Sequence, residues 1–347
     1  MSSVTAPEIV GVDVGGANLK YATASGTAYA RHFAMWRHSK TLAGTLVADL
    51  SARFSGAQQL AITMTGELAD CFVDRGEGVD HIVRHVSEAA RRVGIRNVQF
   101  YGVDGQFRNA DDARVDVDQI AAANWHALAS FVASQFADLQ KAVLIDIGST
   151  TTDIVPVGDG RVATTARTDY DRMREGSLIY VGCRRTPVCA LVDRLQFRGQ
   201  RSRVMNEWFA TIDDARVLLG FRSPDPQDCD TADGKPRTAA MAANRLARMI
   251  GLDRREVSVP DAGELACQVH QAAKQAIAEG VGLVANQNCR WIISGHGDDL
   301  IDLPSGGTVI RLAERWGIET SRCASSYAVA RLMHLQSPNA GVDRCAE

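Results

Sequence analysis

The sequence has no apolar run approaching the roughly 20 residues that a membrane-crossing helix requires, so no transmembrane helix is expected. It has no excess of either charge: 38 lysines and arginines face 41 aspartates and glutamates, for a formal charge of −3. That balance leaves no electrostatic footprint for nucleic acid or an anionic membrane surface. The arginine pairs Arg91–Arg92, Arg184–Arg185 and Arg254–Arg255 stand among acids. The eight cysteines form no C-x-x-C pair, so scattered free thiols are expected rather than a zinc or dithiol site. Met1–Glu8 lacks the basic start and apolar stretch of a secretion signal, and a cytoplasmic protein is expected.

What is present suits two packed lobes: 347 residues, 46% of them hydrophobic and 23% charged. Ile9–Val14 reads as a buried strand stopped by Gly15 and Gly16, with Leu19–Ala24 as its hairpin partner. Apolar residues at helical spacing predict helices over Thr41–Phe54, Val79–Val93, Thr238–Ile250, Ala262–Glu279 and Ser321–Met333. Gly56, Gly94, Gly251 and Gly280 act as stop signals for the first four. Short strands are predicted over Gln59–Met64, Val98–Val103, Ala142–Ile147, Asp153–Val157 and Arg290–Ser294. Strands alternating with helices make this an α/β protein. The stretch from Arg167 to Gly234 is irregular and reads as a functional insert, and the tail after Pro338 as frayed.

Two strand–turn–strand units carry the chemistry. In Ile9–Ala22 the glycines Gly15 and Gly16 let backbone approach a ligand and present N–H groups to an anion. Asp13 stands at the strand end, and Asn18 and Lys20 follow the turn. A plain hairpin with glycines at positive φ explains that stretch equally well. In Ala142–Val157 one turn offers Gly148 and four successive hydroxyls, Ser149, Thr150, Thr151 and Thr152, flanked by Asp146 and Asp153. Hydroxyls beside a glycine supply donors for phosphate oxygens, and aspartates hold magnesium directly or through water.

These two Asp-x-Gly units resemble the phosphate loops of the actin, Hsp70 and sugar kinase (ASKHA) superfamily. Within it the chain is most similar to hydantoinase/oxoprolinase-related proteins of tetrahydromethanopterin-linked one-carbon transfer. The matching stretches are Thr63–Asp70, Asp146–Pro156, Arg184–Pro187 and Thr231–Gly234. The resemblance implies a two-lobed actin-like (ribonuclease H-like) fold. Residues 1–140 would form the first lobe, 141–320 the second with its irregular insert, and 321–347 a helix returning to the first.

It further implies a transferase of methanofuran or methylofuran synthesis, serving methylotrophy in a bacterium. Archaeal relatives join an aminomethyl-furanmethanol diphosphate to the phenol of γ-glutamyltyramine and release pyrophosphate. Gly15, Gly16, Gly148, Ser149, Thr150 and Thr151 would then hold the diphosphate, and Asp13, Asp146 and Asp153 a magnesium ion, with no organic cofactor. Glu67 and Asp104, both at strand ends, are the expected bases for the phenol. Arg184 and Arg185 form either a clamp on diphosphate or carboxylate or a surface pair. Asp233 belongs either to the acceptor pocket or to turn chemistry. Gly295–His296–Gly297 lies where superfamily members hold adenosine, while Ala17–Asn18 replaces their usual hydroxyl and fits a ligand other than ATP.

The competing readings are an ATP-dependent small-molecule kinase or oxoprolinase-like hydrolase, and a non-catalytic metabolite sensor. The expected partners are a phosphorylated small molecule and a phenolic acceptor. Oligomeric state stays open, a homodimer included.

Overall fold

The computed structural model describes residues 8–285, 289–303 and 309–336. The tail after Pro338 and Cys345 lie outside them. The chain divides into two compact units. The first comprises the described residues of Met1–Leu144, Val155–Asp171 and Arg311–Glu347; the second those of Ile145–Ile154 and Arg172–Ile310. The return to the first unit thus comes at Arg311, ahead of the 321 expected, and 155–171 belongs with the first unit instead of the second.

The first sheet contains β1 (Ile9–Val14), β2 (Asn18–Thr23), β3 (Ala28–His32), β4 (Gln59–Met64), β5 (Asn97–Tyr101) and β6 (Phe107–Arg108), in the order β3-β2-β1-β4-β5-β6. β1 and β2 pair antiparallel, whereas β4 lies parallel to β1 and β5 parallel to β4. All six residues of β1 are buried, as a central strand covered on both faces must be. Helices α1 (Leu42–Arg53) and α2 (Arg75–Val93) share one apolar core with Val10, Val12, Val14, Leu60 and Ile62. The start of α2 is four residues earlier than periodicity suggested. Asp74 caps it by accepting from the Glu77 amide at 2.9 Å, and Glu77 reaches back to the Val73 amide, so polar residues build the first turn.

The second sheet begins with β7 (Ala142–Ile147), β8 (Thr152–Gly158), β9 (Arg161–Val162) and β10 (Leu178–Ile179). After a separate hairpin, β11 (Arg194–Phe197) and β12 (Gln200–Arg203), it is completed by β13 (Arg290–Gly295) and β14 (Val309–Arg311). Its order, β10-β8-β7-β13-β14 with β9 also on β8, repeats the third-second-first-fourth-fifth arrangement of the first sheet. That duplication is the actin-like, ribonuclease H-like architecture expected from the paired Asp-x-Gly units.

Helices α3 (Asn124–Gln135), α4 (Ile212–Leu218), α5 (Ala239–Arg248), α6 (Val259–Val284) and α7 (Ala324–Gln336) follow. α6 overruns Gly280, which was read as a stop. A Cβ there would lie 2.7 Å from Ile179 Cδ1 and 2.9 Å from Ile154 Cδ1, so the glycine exists for close helix–sheet approach. The irregular stretch 167–234 also contains more order than its sequence suggests, including β10, the β11–β12 hairpin and α4.

In the first unit α7 packs on β1, β2 and β4 and against α3. Gly11 makes this possible: a Cβ on it would fall 1.9 Å from the Ser326 carbonyl oxygen. Gly11→Ala is therefore expected to lower unfolding free energy by about 1–3 kcal/mol, seen as a lower midpoint in urea denaturation.

Candidate functional site

In the first unit, three backbone segments meet at the carboxyl ends of β1 and β4. Thr65 and Gly66 both donate their amides to the Val14 carbonyl, at 3.0 and 2.9 Å, and Gly15 donates to Asn18 at 3.0 Å. Neither Gly15 nor Gly16 has a positive φ, so the left-handed turn of an ordinary glycine hairpin is not what they provide. Gly15 is required by space, since its Cβ would lie 2.8 Å from the Asn18 oxygen. Gly66 is under the same constraint, 3.0 Å from the Val14 and Gly15 oxygens. Asp13 is buried in β1, level with Lys20 on β2 and Thr63 on β4. The carboxyl ends of parallel strands are where open α/β sheets bind ligands.

Glu67 follows immediately and is buried. Burial drives its carboxyl up to about 7, and the nearby Asp169 adds to this, while the Glu67 and Ala122 amides and Arg75 pull the other way. One oxygen, Oε2, is buried with no hydrogen-bond partner among the described residues. Ala122, whose amide helps hold this carboxyl, has φ +50. Such backbone strain is characteristic of functional positions. Helix α2 approaches so closely here that a Cβ on Gly78 would fall 2.0 Å from the Glu67 carbonyl oxygen.

Asp104, considered for the same role, is instead forked to Arg108 at 2.6 and 3.0 Å and accepts the Gln106 amide at 3.1 Å. Arg108 holds its carboxyl below the ordinary range, which makes it a poor proton acceptor.

In the second unit, the hydroxyl turn after β7 is enclosed by two other loops. The Cys183 amide donates to Gly148 at 2.9 Å, and the Arg184 and Arg185 amides both donate to the Ser149 carbonyl, at 3.1 and 2.9 Å. Thr152 Oγ1 donates to Val181 at 2.7 Å, and Thr186 Oγ1 accepts from the Gly182 amide at 2.9 Å. Gly182 admits no side chain, because its Cβ would lie 2.6 Å from Thr150 backbone atoms. From the other side the His296 amide donates to Ile147 at 3.1 Å, and Ser149 Oγ lies 3.4 Å from His296 Nε2. Gly295, at φ +88, would set a Cβ 2.2 Å from the Ile147 oxygen, and Gly297 one 2.3 Å from Ile147 Cγ2. That Gly-x-Gly is needed to seat its loop against the turn, whatever it binds.

Arg216, which sequence reasoning missed, joins these loops from below. It is buried, forks onto Asp299 at 2.7 and 3.0 Å, and donates to the carbonyls of Cys183 at 2.8 Å and His296 at 3.0 Å. Asp299 also accepts a hydrogen bond from His270 Nε2 at 3.0 Å. Burial pushes the Cys183 thiol up to about 11, which makes it an inert packing group.

The proposed metal ligands differ in availability. Asp146 lies half-buried in β7. Asp153 is bound at 2.8 Å by the buried guanidinium of Arg172, so it neutralises that cation and is corrected as an ion ligand. Within neither unit do three or more described His, Cys, Asp or Glu side chains gather to hold a metal. Magnesium takes only one or two carboxylates when phosphates complete its shell, so a lone aspartate within either unit has the chemistry of a ligand. Arg184 is engaged by Asp228 at 3.0 Å and Asp230 at 3.1 Å, and Arg185 is exposed. Asp233 pairs with Arg245 at 3.0 Å and accepts the Lys235 amide at 3.2 Å, a network and turn role.

The hydantoinase/oxoprolinase family model matches residues 59–334. The chain is 32% identical over 335 residues to the (4-{4-[2-(gamma-L-glutamylamino)ethyl]phenoxymethyl}furan-2-yl)methanamine synthase of Methanocaldococcus jannaschii, covering 94% of this chain and 98% of the relative. The enzyme of the same name from Methanococcus vannielii is 31% identical over 203 residues, 56% of this chain and 91% of the relative. Among solved structures, nucleotide-free acetone carboxylase aligns with a TM-score of 0.53 at 9% identity, over 93% of this chain and 70% of that one. The last likeness concerns the fold alone. The chain belongs to the hydantoinase/oxoprolinase family.

Removing Arg216 would leave Asp299 without its main counter-charge and two buried carbonyls without donors. Arg216→Ala is expected to cost about 3–5 kcal/mol in chemical denaturation, and adding Asp299→Ala to cost less than the sum of the single changes.

Proposed function

We propose that this member of the hydantoinase/oxoprolinase family is a synthase of methanofuran-type cofactor assembly. The bond it makes is an aryl ether between a phenol and a furan methylene carbon. The near-full-length likeness to the archaeal synthase carries this reading, because that relative's named product contains a phenoxymethyl-furan linkage. The substrates would be 5-(aminomethyl)-3-furanmethanol diphosphate and a γ-glutamyltyramine-like phenol. The phenol oxygen attacks the methylene carbon, the carbon–oxygen bond to diphosphate breaks, and pyrophosphate leaves with the bonding electrons.

The phenol must lose a proton, and its ordinary pKa near 10 calls for a base. Glu67 supports this role: it is buried, its carboxyl is raised to about 7, and Oε2 has no other partner among the described residues. A base poised near working pH combines ionisation with driving force. The turn after β7, with backbone fixed by the Cys183, Arg184 and Arg185 amides, offers the hydroxyls of Ser149, Thr150 and Thr151 for the leaving group's charge, whereas the expected Thr152 hydroxyl is buried and committed to the Val181 carbonyl. Magnesium held by Asp146, in the same unit as the turn, would supply Lewis-acid stabilisation of that same charge.

Phosphorus NMR of the protein with Mg²⁺, the furan diphosphate and glutamyltyramine tests the reading. Pyrophosphate is expected, together with an aryl ether in equal amount. ADP formed in a parallel ATP reaction, with furan diphosphate untouched, would return the protein to kinase or ATPase chemistry.

Glu67→Gln is expected to lower kcat by about 10²–10⁴-fold and to remove a rate rise centred near pH 7. The same residue gives a stability test with a defined sign. Its folded value, about 7, lies above the reference 4.5, so its contribution is fully present below the reference value and lost as pH rises through 7. The shift corresponds to about 3 kcal/mol across that window. Wild type should lose that much more stability than Glu67→Gln between pH 4.5 and 8 in urea titrations; parallel curves would show that the carboxyl is not raised.

A further inference from the structure

The second unit buries arginines in two different ways. Arg237 is hydrogen-bonded throughout: it meets Asp213, donates to Asp228 at 3.0 Å and donates to the Asp230 carbonyl at 2.7 Å. Arg245 is ion-paired with Asp214 at 2.7 Å and Asp233 at 3.0 Å, and its Nε and Nη1 are hydrogen-bonded although its buried Nη2 is not. Both are buried and neutralised, as interior cations must be.

Arg222 differs. It lies just beyond α4, where its amide donates to the Arg216 carbonyl at 3.2 Å. Its guanidinium has no hydrogen bond among the described residues, although Nε is buried and the side chain is only 31% exposed. The nearest acids stand off at 4.0 Å from Nε (Asp213) and 3.9 Å from Nη2 (Asp228). Asp228 is already engaged by Arg237 and Arg184, and Asp213 is held by Arg237 through Oδ2, while its buried Oδ1, the atom nearest Arg222, makes no hydrogen bond among the described residues. Burial, with Arg184 and Arg237 as like-charged neighbours, holds the guanidinium below its usual value. A partly buried fork with unused donors can take an anion closer than these acids stand, and its planar geometry suits a carboxylate or phosphate bound through two oxygens. Arg184 connects this fork to the hydroxyl turn, since its amide donates to the Ser149 carbonyl at 3.1 Å.

We propose that Arg222, with Arg184 beside it, is a binding residue for an oxyanion group of a substrate. Resting on the synthase reading, that group is either the diphosphate of the furan substrate or the glutamyl carboxylate of the phenolic acceptor.

Calorimetry on the full chain, with Mg²⁺ and without turnover, separates these sources. The probes are inorganic pyrophosphate, γ-glutamyltyramine and tyramine, which lacks the carboxylate. Arg222→Gln is expected to lose about 10–100-fold in affinity for one anionic probe and none for tyramine. A loss confined to pyrophosphate identifies the phosphate group, and one confined to γ-glutamyltyramine the carboxylate. Arg222→Lys keeps charge without the fork; it should lose at least about threefold and carries the test if the glutamine variant does not fold. The inference is overturned if folded variants bind both anions within twofold of wild type, or if wild type binds neither. Weakened binding in the variant of a wild-type protein that never releases pyrophosphate would sink the synthase reading while leaving the fork in place.

Discussion

The second unit depends on burying cations. Arg172, Arg216, Arg237 and Arg245 are all nearly or fully enclosed, in a stretch that has few strands of its own between β10 and β13. Each guanidinium joins segments that are distant in sequence. Arg172 ties β8 to the backbone at Ser177, Arg216 ties the 183 and 296 loops to Asp299, and Arg237 ties α4 to the 228–230 loop. A rigid, charged fork with five donors can satisfy carbonyls and carboxylates from several loops at once, which an apolar core side chain cannot. The consequence is a loop region ordered by ion pairs, in which removal of either partner leaves an uncompensated charge.

That scaffold explains the shape of the hydroxyl turn. Two loops approach it so tightly that Gly182, Gly295 and Gly297 have no room for a β-carbon. The carbonyls of Gly148 and Ser149 face inward to amides of the 183–185 segment. With its carbonyls occupied by protein donors, the turn presents hydroxyls and amide hydrogens more readily than oxygens to a ligand, as an anion site should. In the first unit the same end is reached without buried arginine. There the crossing of the β1–β2 turn over the exit of β4 is set by paired amides on the Val14 carbonyl and by Gly15 and Gly66.

Much of this was legible in sequence, for reasons of range. β1, β4 and β7 coincide with their apolar runs because central strands covered on both faces need continuous hydrophobicity. The two Asp-x-Gly units announced the two-lobed actin-like fold, and Glu67 was a candidate because it follows a strand end within a matching stretch. What failed was long-range pairing. Asp153 looks like an ion ligand until Arg172, 19 positions later, is seen against it. Arg216 meets Asp299 across 83 positions, and nothing local marks either residue. Asp104 is different, since Arg108 four residues on was visible and pointed to an ion pair. Gly280 was misread because a glycine that ends a helix and one that admits a neighbouring isoleucine look alike in a linear chain.

Glu67 in the first unit and Arg222 in the second are incompletely hydrogen-bonded groups of opposite kinds, and this bears on mechanism. Around Glu67 the protein encloses a carboxyl with Asp169 near and Arg75 too weak an influence to restore its ordinary acidity, so the proton is held until about pH 7. Around Arg222 it keeps a guanidinium with no hydrogen bond although aspartates are abundant nearby. Evolutionary drift toward stability would favour removing both features, since each lowers the stability of the empty protein. Taken unit by unit, the carboxyl can be either protonated or ionised near neutrality, as a proton acceptor must be, and the guanidinium keeps donors for an anionic group. A simple metabolite sensor would explain the guanidinium but gives no reason for the raised carboxyl, and that asymmetry favours chemistry over binding alone.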